Sequence, residues 1–88
     1  MTERDAVIVN PLGLHARPAA QLVRLASGFA SDVRIAKDGM EVNGKSIMGV
    51  MMLAAECGSA IRIRADGEDA ERAVDALCGL VSQGFGES

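Results

Sequence analysis

The 88-residue chain has no tryptophan and no tyrosine, two phenylalanines and a net charge of −3. A nucleic-acid module would want a basic face and, as a rule, aromatic stacking platforms. Neither is present. The longest apolar run, residues 47–55, is interrupted by Gly49 and falls well short of the ~20 residues a membrane-spanning helix needs. No membrane insertion is expected. The opening residues Met1-Thr2-Glu3-Arg4-Asp5 are charged and lead straight into a strand, so no signal peptide is read and a cytoplasmic location is expected. Cys57 and Cys78 form no C-x-x-C pair, and one histidine is too few for a zinc set. Both cysteines read as small buried hydrophobes, and neither a metal nor a cofactor is expected.

What the chain does have is apolar content, 49% of its residues, which excludes disorder by composition. Its length fits one domain, residues 1–88. Gly13-Leu14-His15-Ala16-Arg17-Pro18-Ala19 holds the only histidine. A strand-like run, Ala6-Val7-Ile8-Val9, precedes it, and helical spacing of Ala19, Leu22, Val23 and Ala26 follows. His15 therefore falls at or beside a helix N-terminus. First-turn N–H groups lack intrahelical partners, and the helix dipole puts partial positive charge there, so an anion is welcome. Pro18 is tolerated in that first turn and donates nothing. This leaves the backbone N–H groups of Ala16 and Arg17 as the phosphate donors. The guanidinium of Arg17 suits phosphate oxygens. Spacing alone leaves open the plainer alternative, a solvated loop histidine with an arginine nearby.

The first strand is placed at residues 5–9, followed by a turn at Asn10-Pro11-Leu12-Gly13. A helix over 16–27 follows, with Gly28 as its C′ residue. Residues 32–37 alternate as a half-buried strand, and Asp38-Gly39 predicts a type I′ hairpin turn returning through Met40–Asn43. Ser46 reads as the N-cap of a short helix, Ile47-Met48-Gly49-Val50-Met51-Met52-Leu53, apolar on most sides. Part of that segment, with Ile47, Met48 and Met51, is expected to be exposed as a soft partner-binding surface. Burial in the core is the alternative. Ala60–Ala65 alternates as the fourth strand, with Arg62 and Arg64 outward on a solvated face. The last helix starts after Asp66-Gly67-Glu68-Asp69 and ends near Gly84, with a frayed tail over 85–88. The order βαββαβα predicts an α/β (α+β) two-layer sandwich. Its four-stranded, mostly antiparallel sheet carries three helices on one face.

At this point the residues resemble a family. Gly13–Ala19 together with Lys45-Ser46-Ile47-Met48-Gly49-Val50-Met51 is similar to HPr, the histidine-containing phosphocarrier of the phosphoenolpyruvate-dependent sugar phosphotransferase system. The similarity covers nearly the whole chain. The resemblance implies an open-faced β-sandwich. It implies that His15 accepts a phosphoryl group at Nδ1 from phosphorylated enzyme I and passes it to IIA domains of sugar transporters, with Arg17 assisting. It also implies regulatory phosphorylation at Ser46 by a serine kinase, reversed by a phosphorylase and linked to carbon catabolite regulation. The protein would be a carrier, not a self-contained enzyme, and a monomer. Ser27 and Gly49 stand where many relatives carry lysine, which removes positive charge near the docking face. Met52 stands where a small polar residue is frequent. Two rival readings remain. One is a nitrogen-branch or regulatory carrier acting on regulators rather than sugar permeases. The other is a binding module whose methionine patch is the function.

Overall fold

Alternation of apolar and polar residues in three segments, 32–37, 40–43 and 60–66, with helical periodicity in the stretches around them, sets most of the architecture. The computed structural model describes residues 1–87. Strand β1 covers Thr2–Val7 and helix α1 Ala16–Ser27. Strands β2 and β3 cover Asp32–Lys37 and Met40–Asn43. Helix α2 covers Ile47–Met52, β4 covers Ala60–Asp66, and α3 covers Ala70–Ser82. The sheet order is β1-β4-β2-β3, and all neighbouring strands are antiparallel. The expected sandwich is the observed one, with its sheet antiparallel throughout.

Register explains why one face is covered. Ile35 lies opposite both Val42 and Ile63, and Ala6 lies opposite Ile61. With Val33 and Ala65 these side chains meet Leu22, Val23 and Ala26 of α1 and Val74, Leu77 and Val81 of α3 in one core. The other face is charged and open. There Arg62 meets Asp5 at 3.0 Å and Arg64 meets Glu41 at 2.8 Å. At Asp38-Gly39 both φ angles are positive, 50° and 83°, as a type I′ turn requires.

Four expectations need correction. The first strand runs from Thr2 to Val7 instead of 5–9. Thr2–Asp5 pair with Ala65–Arg62, and those cross-strand bonds outweigh the charged side chains that make the segment look like a tail. Gly28 does follow α1, but with φ −77° it closes the helix without a left-handed residue. Cys57 is exposed on the loop after α2, its thiol donating to the Val9 carbonyl oxygen at 3.7 Å. Cys78 is half-buried against the core as expected, and burial pushes its thiol pKa up.

The expected frayed tail is the largest departure. Gly84, Phe85 and Gly86 have φ angles of 63°, 57° and 74°, three consecutive residues in the left-handed region. They reverse the chain, and Phe85 is buried in the core at 3% exposure. Burial of an aromatic ring outweighs the strain of a non-glycine left-handed residue. Ser88 lies outside the described residues.

Candidate phosphoryl site

The turn after β1 is held from two sides. The Gly13 N–H donates to the Asn10 carbonyl oxygen at 3.1 Å, and Asn10 Nδ2 donates to the Gly13 carbonyl oxygen at 2.8 Å. The Leu14 N–H then donates to the Ala55 carbonyl oxygen at 2.9 Å. Gly13 has φ +67°, and a Cβ there would collide with that same Ala55 oxygen. A side-chain-free residue is what lets the turn lie against the segment after α2. This clamp fixes where the next residue points.

That residue, His15, is the N-cap of α1, with extended backbone at φ −76° and ψ −172°. Its carbonyl oxygen accepts the first helical bond, from Ala19 N–H at 3.0 Å. Pro18 is the third helical residue and is buried. Among the described residues no side chain caps the helix start, and the N–H groups of Ala16 and Arg17 have no acceptor. These two groups stand free at the positive end of the helix dipole. Arg17 is exposed, and among the described residues it makes no ion pair. The His15 side chain is 37% exposed, so a partner can reach the ring.

A carboxylate that the sequence reading did not include is also present. Glu87 Oε2 lies 3.0 Å from His15 Nε2, and its Oε1 lies 3.3 Å from the same atom. Oε1 also accepts from Asn10 Nδ2 at 3.0 Å. Asn10 is 1% exposed, and its Oδ1 finds no partner among the described residues. Asn10 thus ties three things together: the turn, the carboxylate and, through the carboxylate, the imidazole. The signal that could have found Glu87 is Phe85, an aromatic between two glycines in a segment otherwise read as loose.

Ser46 sits at the N-cap of α2, where its Oγ accepts from Gly49 N–H at 3.1 Å. Lys45, just before it, donates from Nζ to the Phe29 carbonyl oxygen at 2.8 Å and so ties this turn to the end of α1. Helix α2 packs against α1 and buries only Val50. Ile47 (44%), Met48 (77%) and Met51 (42%) are exposed, with Met52 and Leu12 exposed as well. The core alternative for these residues is thereby excluded. Hollows of about 330 and 350 Å³ lie elsewhere, one on the open sheet face beside Lys37 and Asp38 and one between Arg24 and Leu80. His15 lines neither. The His15 site lies on an open surface. A small substrate would want an enclosing cleft.

The chain is similar to known proteins along nearly its whole length. The family model described as "PTS HPr component phosphorylation site" matches residues 2–83. The phosphocarrier protein HPr of Cupriavidus necator is 51% identical over 87 residues, covering 99% of this chain and 98% of that protein. A crystal structure of HPr from Thermoanaerobacter tengcongensis has a TM-score of 0.96 at 45% identity, covering 100% of this chain and 99% of the other. A dimeric HPr structure from the same organism matches with a TM-score of 0.79 at 46% identity, over 99% of this chain and 100% of the other. No helix among the described residues is long and apolar enough to cross a membrane.

Proposed function

The chain belongs to the HPr family of phosphotransferase-system phosphocarriers, and from that premise we propose that His15 takes up the phosphoryl group. The observation that carries this is the half-exposed His15 ring at the N-cap of α1, beside two N–H groups that have no acceptor among the described residues. Phosphoryl transfer depends on positioning and charge stabilisation more than on covalent chemistry by the protein. The imidazole supplies the nucleophile. The N–H groups of Ala16 and Arg17 and the Arg17 guanidinium offset the charge on the phosphoryl oxygens. A few donors on an open surface hold the group moderately, as suits a carrier that must release it.

The donor is phosphorylated enzyme I and the acceptors are IIA domains of sugar transporters, all meeting in the cytoplasm. Ile47, Met48 and Met51 form the docking surface for them. Exposed, flexible methionines adapt to several partners with little loss of contact area. Ser46 is the regulatory site for a serine kinase and phosphorylase. A phosphate on Ser46 Oγ adds roughly −2 of charge at the edge of that apolar surface. It therefore opposes docking by charge and desolvation, without unfolding the domain. The protein works as a monomer. Its edge strands resist pairing, since β1 is densely charged at Glu3-Arg4-Asp5 and β3 has only four residues.

The test is incubation with phosphoenolpyruvate and enzyme I, read by intact mass and phosphorus NMR. An acid-labile phosphoryl group that is absent from His15→Ala is the expected result. No label, with enzyme I active on a control carrier, would overturn the reading.

A further inference from the structure

We propose that Glu87 is a positioning residue that holds His15 in the tautomer carrying hydrogen on Nε2, so that the lone pair is on Nδ1. The inference rests on the reading of His15 as phosphoryl acceptor and deepens it. A neutral imidazole has one N–H to share between two nitrogens, and an ionised carboxylate only accepts. The nitrogen facing the carboxylate therefore bears the hydrogen. Here that nitrogen is Nε2, 3.0 Å from Oε2 and 3.3 Å from Oε1 of Glu87. The carboxylate is itself held. Its Oε1 accepts from Nδ2 of buried Asn10 at 3.0 Å, and Phe85, two residues earlier, anchors the segment in the core.

The arrangement matters through the whole transfer cycle. On uptake, the Nδ1 lone pair forms the N–P bond. The bond between phosphorus and its donor atom breaks, and that electron pair returns to the donor. The hydrogen on Nε2 stays in place, so the ring becomes a phosphorylated imidazolium. Glu87 faces that positive charge at hydrogen-bond distance and stabilises it, as a carboxylate does behind any histidine that charges during reaction. On delivery the N–P bond breaks, its pair returns to Nδ1, and the ring is again neutral with its hydrogen on Nε2. No proton enters or leaves in either direction. The same nitrogen, Nδ1, serves as nucleophile on uptake and as leaving group on delivery.

Two measurements on Glu87→Ala and Glu87→Gln test this. The first is the ring nitrogen-15 NMR spectrum of the carrier alone, at a pH where the imidazole is neutral. Wild type is expected to be nearly all Nε2–H, and Glu87→Ala to raise the Nδ1–H share several-fold. Glu87→Gln keeps a carbonyl oxygen for Nε2–H and is expected to keep the wild-type tautomer. The second is the rate of phosphoryl uptake from phosphorylated enzyme I, expected to fall about 10-fold or more in Glu87→Ala and less in Glu87→Gln. A wild-type tautomer ratio in Glu87→Ala, or a shifted ratio with an unchanged uptake rate, would overturn the proposal. The tautomer measurement needs no enzyme I. A wild-type protein that takes no label therefore strikes the acceptor reading, while the Glu87 contact is still decided by the spectrum.

Discussion

Glu87 and His15 lie 72 residues apart in the chain and 3.0 Å apart in space. The contact depends on a reversal at Gly84-Phe85-Gly86 and on the burial of one ring, Phe85. The contact itself is partly open to water, with side-chain exposures of 37% for His15 and 22% for Glu87. A polar contact that exposed adds at most about 1 kcal/mol to stability. Its consequence is orientation of the ring, and the energy that maintains it comes from Phe85.

Phe85→Ala should therefore act at a distance. Removing a buried phenylalanine costs about 3 kcal/mol, at the low end of the usual range because a terminal segment can relax. Urea unfolding should show that loss. The same variant should release Glu87 and shift the His15 ring toward the tautomer mixture of Glu87→Ala. Glu87→Ala by itself should leave the unfolding midpoint nearly unchanged.

Ser46 carries a structural role that a modification would have to respect. Its Oγ caps α2 at Gly49, so Ser46→Ala should lose about 1 kcal/mol in chemical denaturation. Asp is an equally good cap, so Ser46→Asp should retain most of the stability and bind enzyme I about 10-fold more weakly. Calorimetric titration alongside unfolding separates the two effects. Wild-type affinity in Ser46→Asp would count against regulation by charge.

Met48 is 77% exposed, so Met48→Asp should change stability by less than about 0.5 kcal/mol. It should weaken enzyme I binding by about 10-fold, because a charge replaces an apolar anchor. Surface plasmon resonance with immobilised enzyme I reads the change.

Asp69 gives the chain an acid-sensitive tie. Its carboxylate accepts from the Ser31 hydroxyl, from Ala30 N–H at 2.8 Å and from Ser31 N–H at 2.9 Å. These bonds, the Ser31 hydroxyl first, lower its pKa from 3.8 to about 2. As pH falls the unfolded chain takes up the proton before the folded one does. The stabilisation is thus fully present above about 3.8 and is lost as pH falls toward 2. Melting temperatures across that window should fall less steeply in Asp69→Asn than in wild type.

Much of the site was legible because it is local. Helix periodicity after Pro18, a strand before Asn10 and a lone histidine between them suffice to put His15 at a helix start. The hairpin at Asp38-Gly39 and the cap at Ser46 follow from backbone rules acting within four residues. The exposure of Met48 and Met51 was expected on a different ground, that a small domain cannot hide an all-round apolar segment. Other features were not legible. Thr2–Asp5 looks like a charged tail until β4 is placed beside it. Asn10 looks like an ordinary turn residue until its Nδ2 is seen to join Gly13 and Glu87.

The sequence by itself determined the element order, the faces that β2 and β4 bury and the position of His15 at the N-terminus of α1. Each depends on residue spacing, and spacing is set by the geometry of one helix or one strand. Only the tertiary structure decided where β1 begins, that Cys57 faces solvent, and that Glu87 meets Nε2 of His15. Those outcomes depend on which surfaces meet when the sheet and helices pack. A ring such as Phe85 must find its cavity before the residues beyond it have a place. No local pattern encodes that meeting.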